Sequence, residues 1–223
     1  MGGGDYIEAI NYTDKRFDPT QIAPEYKDDL SHAAQDQVSD MITILRPIRK
    51  RCLGLHRGNH EECLRLKYHY DVMKEFKDEW PEVPLLEDTA FTRITFTRNN
   101  EFDKGHVNTF IIWSAHGNVA GRKSGGKINR IEEAMSFFDA DIYLMGHGHR
   151  KMTTSLTALS CNHKGELKLE ARRRVGGMTG AYFKTYIAGA STYAEKGMFS
   201  PSDLGAIKVT IDPADRNYFL SEV

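Results

Sequence analysis

Val107-Asn108-Thr109-Phe110-Ile111-Ile112-Trp113 runs into Ser114-Ala115-His116-Gly117, and Ile142-Tyr143-Leu144-Met145 runs into Gly146-His147-Gly148-His149. Each stretch opens as an apolar run of strand length and closes on glycine and imidazole. Between them, residues 128–138 space their apolar side chains as a helix does. Strand, helix and strand in that order predict an α/β fold. Both strands end in a polar, glycine-containing loop, which is where layered α/β proteins gather their ligand sites.

The same reading extends outward. From about Glu25 to Ile44, Leu30, Ala33, Ala34, Val38, Met41 and Ile42 recur at helical spacing, continued by Leu45, and Pro47 should end or kink that helix. Cys52-Leu53-Gly54-Leu55 predicts a short buried strand that empties into a loop, Arg57-Gly58-Asn59-His60-Glu61. Residues 62–79 read as one helix, stopped before Pro81. Thr89–Thr97 alternates as a strand, and Asn99-Asn100 with Lys104-Gly105 marks a turn. Beyond Thr153 the chain reads mainly as strands, with turns at 162–165 and 176–180. No internal repeat or low-complexity linker divides the chain, so residues 1–223 are expected to form a single domain.

The formal net charge is −1 over 223 residues, so no global field draws the chain to nucleic acid or to an anionic surface. No apolar run approaches the length of a membrane span. The opening Met1-Gly2-Gly3-Gly4-Asp5-Tyr6 lacks the charged and apolar regions of a secretory signal. Three widely spaced cysteines, Cys52, Cys63 and Cys161, fit a reducing compartment and are expected to be small buried hydrophobes. A cytoplasmic protein without membrane association is the expectation.

Asp5, Asn59, His116, His147 and His149 together supply what a dinuclear metal site needs: a carboxylate able to bridge, a carbonyl oxygen and imidazoles. Each lies beside a glycine, which lets the backbone turn tightly around a cation. In order, Gly4-Asp5-Tyr6-Ile7-Glu8, Gly58-Asn59-His60-Glu61, His116-Gly117 and Gly146-His147-Gly148-His149 resemble four of the five sequence blocks of the calcineurin-like metallophosphoesterase family. Gly-Asn-His-Glu is the most specific of them, arising by chance in well under about 1% of chains this long.

The resemblance implies a layered sandwich of two mixed β-sheets flanked by helices, and divalent-metal-dependent hydrolysis of phosphate esters. It makes Asp5 the bridging ligand, Asn59, His116 and His147 the remaining ligands of one metal, and His149 a ligand of the second. It makes His60 the catalytic histidine, oriented by Glu61, with a water activated by the cations as nucleophile. Two divalent ions are implied; manganese comes first for such a shell, then iron, zinc or nickel. The basic, glycine-rich run after His116 offers Asn118, Arg122 and Lys123 as substrate contacts, which tilts the expected substrate toward a phosphodiester, nucleotide or nucleic acid over a monoester.

Two features depart from the pattern. Glu8 stands where the family has Asp, and the family's opening Asp-x-His block is absent. The expectation is therefore that an N-terminal strand–helix–strand unit of roughly 30–50 residues is missing, and that the second metal is held weakly. The rival expectations are a phosphomonoesterase and an inactive metal-binding scaffold; a homo-oligomer is left open. The other histidines (His32, His56, His69, His106 and His163) are expected to be satisfied polar residues, and Arg172-Arg173-Arg174 a solvated strand end. Tyr193 is placed beside the cleft.

Overall fold

Trp113, Tyr143 and Met178, all nearly inaccessible to solvent, mark where the longest strands come together. The computed structural model describes residues 1–8, 14, 17–19, 22–27, 30–97, 107–119, 121–162, 164–189 and 191–223. The chain forms two compact units: Met1–Asp88 with Phe183–Ser202, and Thr89–Tyr182 with Asp203–Val223. It is an α/β protein with five α-helices, one five-stranded mixed sheet and two small two-stranded sheets among the described residues.

In the first unit, helix α1 (Ala33–Leu45) passes into a 3-10 turn over Arg46–Arg51, so Pro47 ends the regular helix as its missing N–H requires. Strand β1 (Leu55–His56) is shorter than its apolar run suggested and pairs in parallel with β2 (Leu85–Leu86) and, through one bridge, with Gly2. The expected loop after it is instead the first turn of helix α2 (Asn59–Tyr68). The expected single helix over 62–79 is two helices: His69 takes a left-handed conformation (φ 54°), and Asp71 caps α3 (Val72–Glu79) by accepting from Met73 N–H. Val38 of α1 meets Leu64, Val72, Met73, Phe76 and Trp80 in one core, each burial contributing about 1.5–3 kcal/mol for an aliphatic or aromatic side chain. The short helix α5 (Tyr193–Lys196) also belongs to this unit.

In the second unit, the sheet order is β3 (Thr89–Thr97), β4 (Val107–Ala115), β5 (Ile142–Met145), β7 (Leu169–Met178) and β6 (Met152–Cys161). β4, β5 and β7 run parallel, and β3 and β6 flank them antiparallel. Side-chain alternation along β4 divides the core. Trp113 and Ala115 join Ile131, Ala134 and Met135 of helix α4 (Ser124–Phe137), whereas Phe110 and Ile112 join Tyr218 of the hairpin β8 (Ile207–Asp212) and β9 (Asn217–Glu222). The central strands are thus covered on both faces, which explains their unbroken apolar runs. The turn expected over 176–180 begins later, because β7 continues through Met178.

The arginine run is not a solvated strand end. Arg172 bonds the buried Asp141 carboxylate and Asp139, and Arg174 bonds Asp139 and the Met135 carbonyl. Asp141 also accepts Ile111 N–H, so Arg172 neutralises a carboxylate that ties β4 to the start of β5. The cysteines also differ from expectation: Cys161 is exposed, and Cys52 and Cys63 are half-buried. The turn expected near 99–105, His106 and His163 lie outside the described residues.

Candidate metal and phosphoester site

The candidate site residues fall into two groups, one in each unit. In the first, Glu61 is completely buried in the opening turn of α2. Its carboxylate accepts backbone N–H groups rather than an imidazole: Gly58 (2.7 Å) and Asp5 (2.9 Å) donate to Oε2, and Tyr6 (2.7 Å) and Ile7 (3.4 Å) to Oε1. One anion thus gathers the amides of the 4–7 loop and of the helix N-cap, which would otherwise be buried donors without acceptors. Burial, then the nearby Asp5 charge, pushes the Glu61 carboxyl above the usual range, while the amides of Gly58, Asp5 and Tyr6 pull it down.

The clamp aims Asp5. Gly4 and Asp5 both take positive φ (88° and 54°), a conformation non-glycine residues adopt rarely and at a cost. Asp5 Oδ1 accepts His60 N–H at 3.0 Å, which sets its charge at the N-terminus of α2, the favourable end of the helix dipole. Gly58 is required by space, since a Cβ there would collide with Asp5 Oδ1 and N. Asn59 is exposed on the first turn of α2 and His60 half-buried; the His60 Nδ1 atom is buried with no hydrogen-bond partner among the described residues. Both Glu61 oxygens accept backbone N–H groups, and among the described residues none of these bonds comes from the His60 ring.

In the second unit, Ala115 of β4 and Met145 of β5 are parallel partners in register, so the residues just beyond them leave the sheet side by side. His116 Nε2 lies 3.2 Å from His147 Nδ1, with the rings at 75°. His116 is buried and His147 half-buried. His147 and His149 take left-handed conformations (φ 63° and 50°) on either side of Gly148, where a Cβ would collide with Met178 Sδ and force that side chain to move. Asp203 N–H donates to His149 O, and Lys127 Nζ donates to Gly148 O at 2.5 Å. Burial, then Arg150, lowers the Lys127 pKa, and Asp203 opposes this.

Asn118, Arg122 and Lys123 are exposed, and Lys123 is the N-cap of α4, so the basic loop leads from His116 straight into a helix N-terminus. Residue 120, within that loop, lies outside the described residues. Tyr193 is exposed and stacks on Phe199. The sequence reading took the basic run after His116 as a loop that ends at Lys127; the structure instead starts α4 at Ser124, which sets Lys127 on the helix with its Nζ on Gly148 O. His56 is buried, its Nδ1 2.6 Å from Glu87 O, as expected of a satisfied histidine.

Comparison of the chain with protein-family models, with curated proteins and with solved structures gives no match in any of the three.

Proposed function

We propose that the protein is a divalent-metal-dependent hydrolase of phosphate esters, with phosphodiesters or nucleic acids preferred. The observation that carries this reading is the His116–His147 pair, two imidazole nitrogens 3.2 Å apart at the ends of adjacent parallel strands. Two nitrogens bound to one cation at about 2.0–2.1 Å stand about 3–3.4 Å apart, so the pair fits a shared metal without rearrangement. Two imidazoles, a carboxylate and an amide form a donor set suited to manganese, iron, zinc or nickel.

In this reading Asp5, His116 and His147 hold one divalent cation, with Asn59 completing its protein shell and His149 serving a second. A cation there would supply Lewis acidity toward a phosphoryl oxygen. Asp5 is presented by the Glu61 clamp at the α2 N-terminus, the end of the helix dipole that favours a carboxylate. The His60 ring, with one nitrogen unclaimed by any hydrogen bond, is suited to hand a proton to the leaving oxygen. Arg122 and Lys123 would meet substrate phosphates beyond the scissile one. The finer architecture, a sandwich of two mixed sheets between helices, and a cytoplasmic location belong to the same proposal. It is supported by a mixed sheet with a helix on one face and a β-hairpin on the other. No helix among the described residues is long and apolar enough to cross a membrane.

The ligand assignment is tested by metal analysis of purified protein. Wild type should retain at least one equivalent of a transition metal, whereas His116→Ala and His147→Ala should each lose most of it while keeping their far-ultraviolet circular dichroism. Equal metal content in all three proteins would remove these histidines from the site.

A further inference from the structure

Strand β6, Met152–Cys161, forms one edge of the five-stranded sheet and, among the described residues, pairs on one side only, with β7. Its sequence, Met-Thr-Thr-Ser-Leu-Thr-Ala-Leu-Ser-Cys, holds no charged residue and no proline, and its register with β7 is unbroken by any bulge. Natural edge strands are protected by those devices, since an open row of N–H and C=O groups otherwise recruits another strand. The opposite edge has such protection: β3 carries exposed Arg93 at its centre. β6 has none.

The pairing pattern shows which backbone groups are open. Asn162 N–H donates to Lys168 O, and this pair continues the register in which Cys161 faces Leu169. In an antiparallel ladder the direction alternates, so the even-numbered residues of β6 bond to β7. Thr153, Ser155, Thr157, Leu159 and Cys161 then direct their N–H and C=O groups away from β7. Val175 agrees: it faces Ser155 and turns its own N–H to Asp141 O on the far side. At the start of the strand the edge is closed, because Lys151 N–H is taken by Asp203 Oδ2.

The edge is uncharged, unbroken by a bulge and able to face itself without like charges, and from that we infer that β6 pairs with β6 of a second copy of this chain, antiparallel about a two-fold axis at Thr157, the middle outward residue. Thr157 then faces its own copy, Ser155 faces Leu159, and Thr153 faces Cys161. On the other side of the sheet Leu156 faces Ala158, and Thr154 faces Ser160. No like charges meet, Thr–Thr and aliphatic cross-strand pairs are favourable, and the two sheets join into one. The contact is isologous and closes at two chains, unlike β6 joining β3, which would propagate.

Sedimentation and light scattering of the full chain across the micromolar range test this, together with two variants. Thr157 is exposed and its N–H lies outside the β6–β7 ladder, so Thr157→Lys should leave the fold intact while bringing two ammonium groups together at the axis. The expected results are wild type at twice the chain mass of 25.3 kDa, and Thr157→Lys at the single-chain mass with an unchanged circular dichroism spectrum. Thr157→Cys in a Cys161→Ser background should form a covalent dimer on mild oxidation, since a hydrogen-bonded antiparallel pair sets its Cα atoms about 5.5 Å apart, within disulfide reach. A monomeric wild type overturns the proposal. So does a dimer that persists in Thr157→Lys, or one whose Thr157→Cys form fails to cross-link. Open-ended polymers would overturn it in favour of edge-to-opposite-edge joining.

Discussion

Glu61→Ala should lower the stability of the first unit by on the order of 3–5 kcal/mol, because it strands the amides of Gly58, Asp5 and Tyr6, each buried donor costing about 1–3 kcal/mol. Those three bonds are 2.9 Å or shorter, and the residue has no solvent exposure through which water could replace the lost oxygens. Glu61→Gln keeps the shape but turns an NH₂ toward at least one N–H donor, so it should fall between wild type and Ala. The pH profile separates charge from shape. The folded Glu61 pKa lies above its ordinary value, so the folded state holds the proton more tightly than the unfolded chain. Its contribution to stability is then complete below the ordinary glutamate range, near ~4.3, and declines as pH rises through the raised folded value. Glu61→Gln should remove that decline. Denaturant melts of the three proteins at acidic and neutral pH measure both effects, and a wild-type-like Glu61→Ala would mean that the clamp holds nothing.

His60→Gln should lower turnover of a phosphodiester by roughly 10²–10⁴-fold, the span associated with a general acid–base group, while metal content and melting midpoint stay near wild type. The contrast with Glu61 is the informative part. Although the two residues are neighbours, His60 contributes a ring whose Nδ1 has no partner, whereas the Glu61 oxygens are occupied by backbone. A Glu61 variant should therefore lose activity in proportion to folded protein, and His60→Gln should lose it per folded molecule. The loss should shrink for substrates whose leaving group needs no proton. Full turnover in His60→Gln with a poor leaving group would exclude the residue from the reaction.

The halves of the candidate site that come from consecutive strand ends were the most legible in the sequence. Apolar runs ending in His116-Gly117 and Gly146-His147-Gly148-His149 needed only parallel pairing to bring two imidazoles together, and β4 and β5 are adjacent and in register. The Glu61 clamp was not legible, because its partners are backbone amides 54–56 residues away, which have no side-chain signature. The break at His69 escaped for a related reason: a left-handed residue other than glycine carries no compositional mark, and Tyr70 N–H closing back to Leu64 O is a property of the chain path. The arginine run misled because charge in sequence suggests solvent; strand register instead set Arg172 and Arg174 against the acidic pair at the start of β5.

The most direct test of the central claim is turnover of a chromogenic phosphodiester by protein first stripped with chelator and then given back single divalent metals. The account predicts that stripped protein is inactive, that manganese or another transition metal restores hydrolysis, and that His147→Ala is not restored. Hydrolysis that survives complete removal of metal, or absence of hydrolysis with every cation across mono- and diesters, would contradict it.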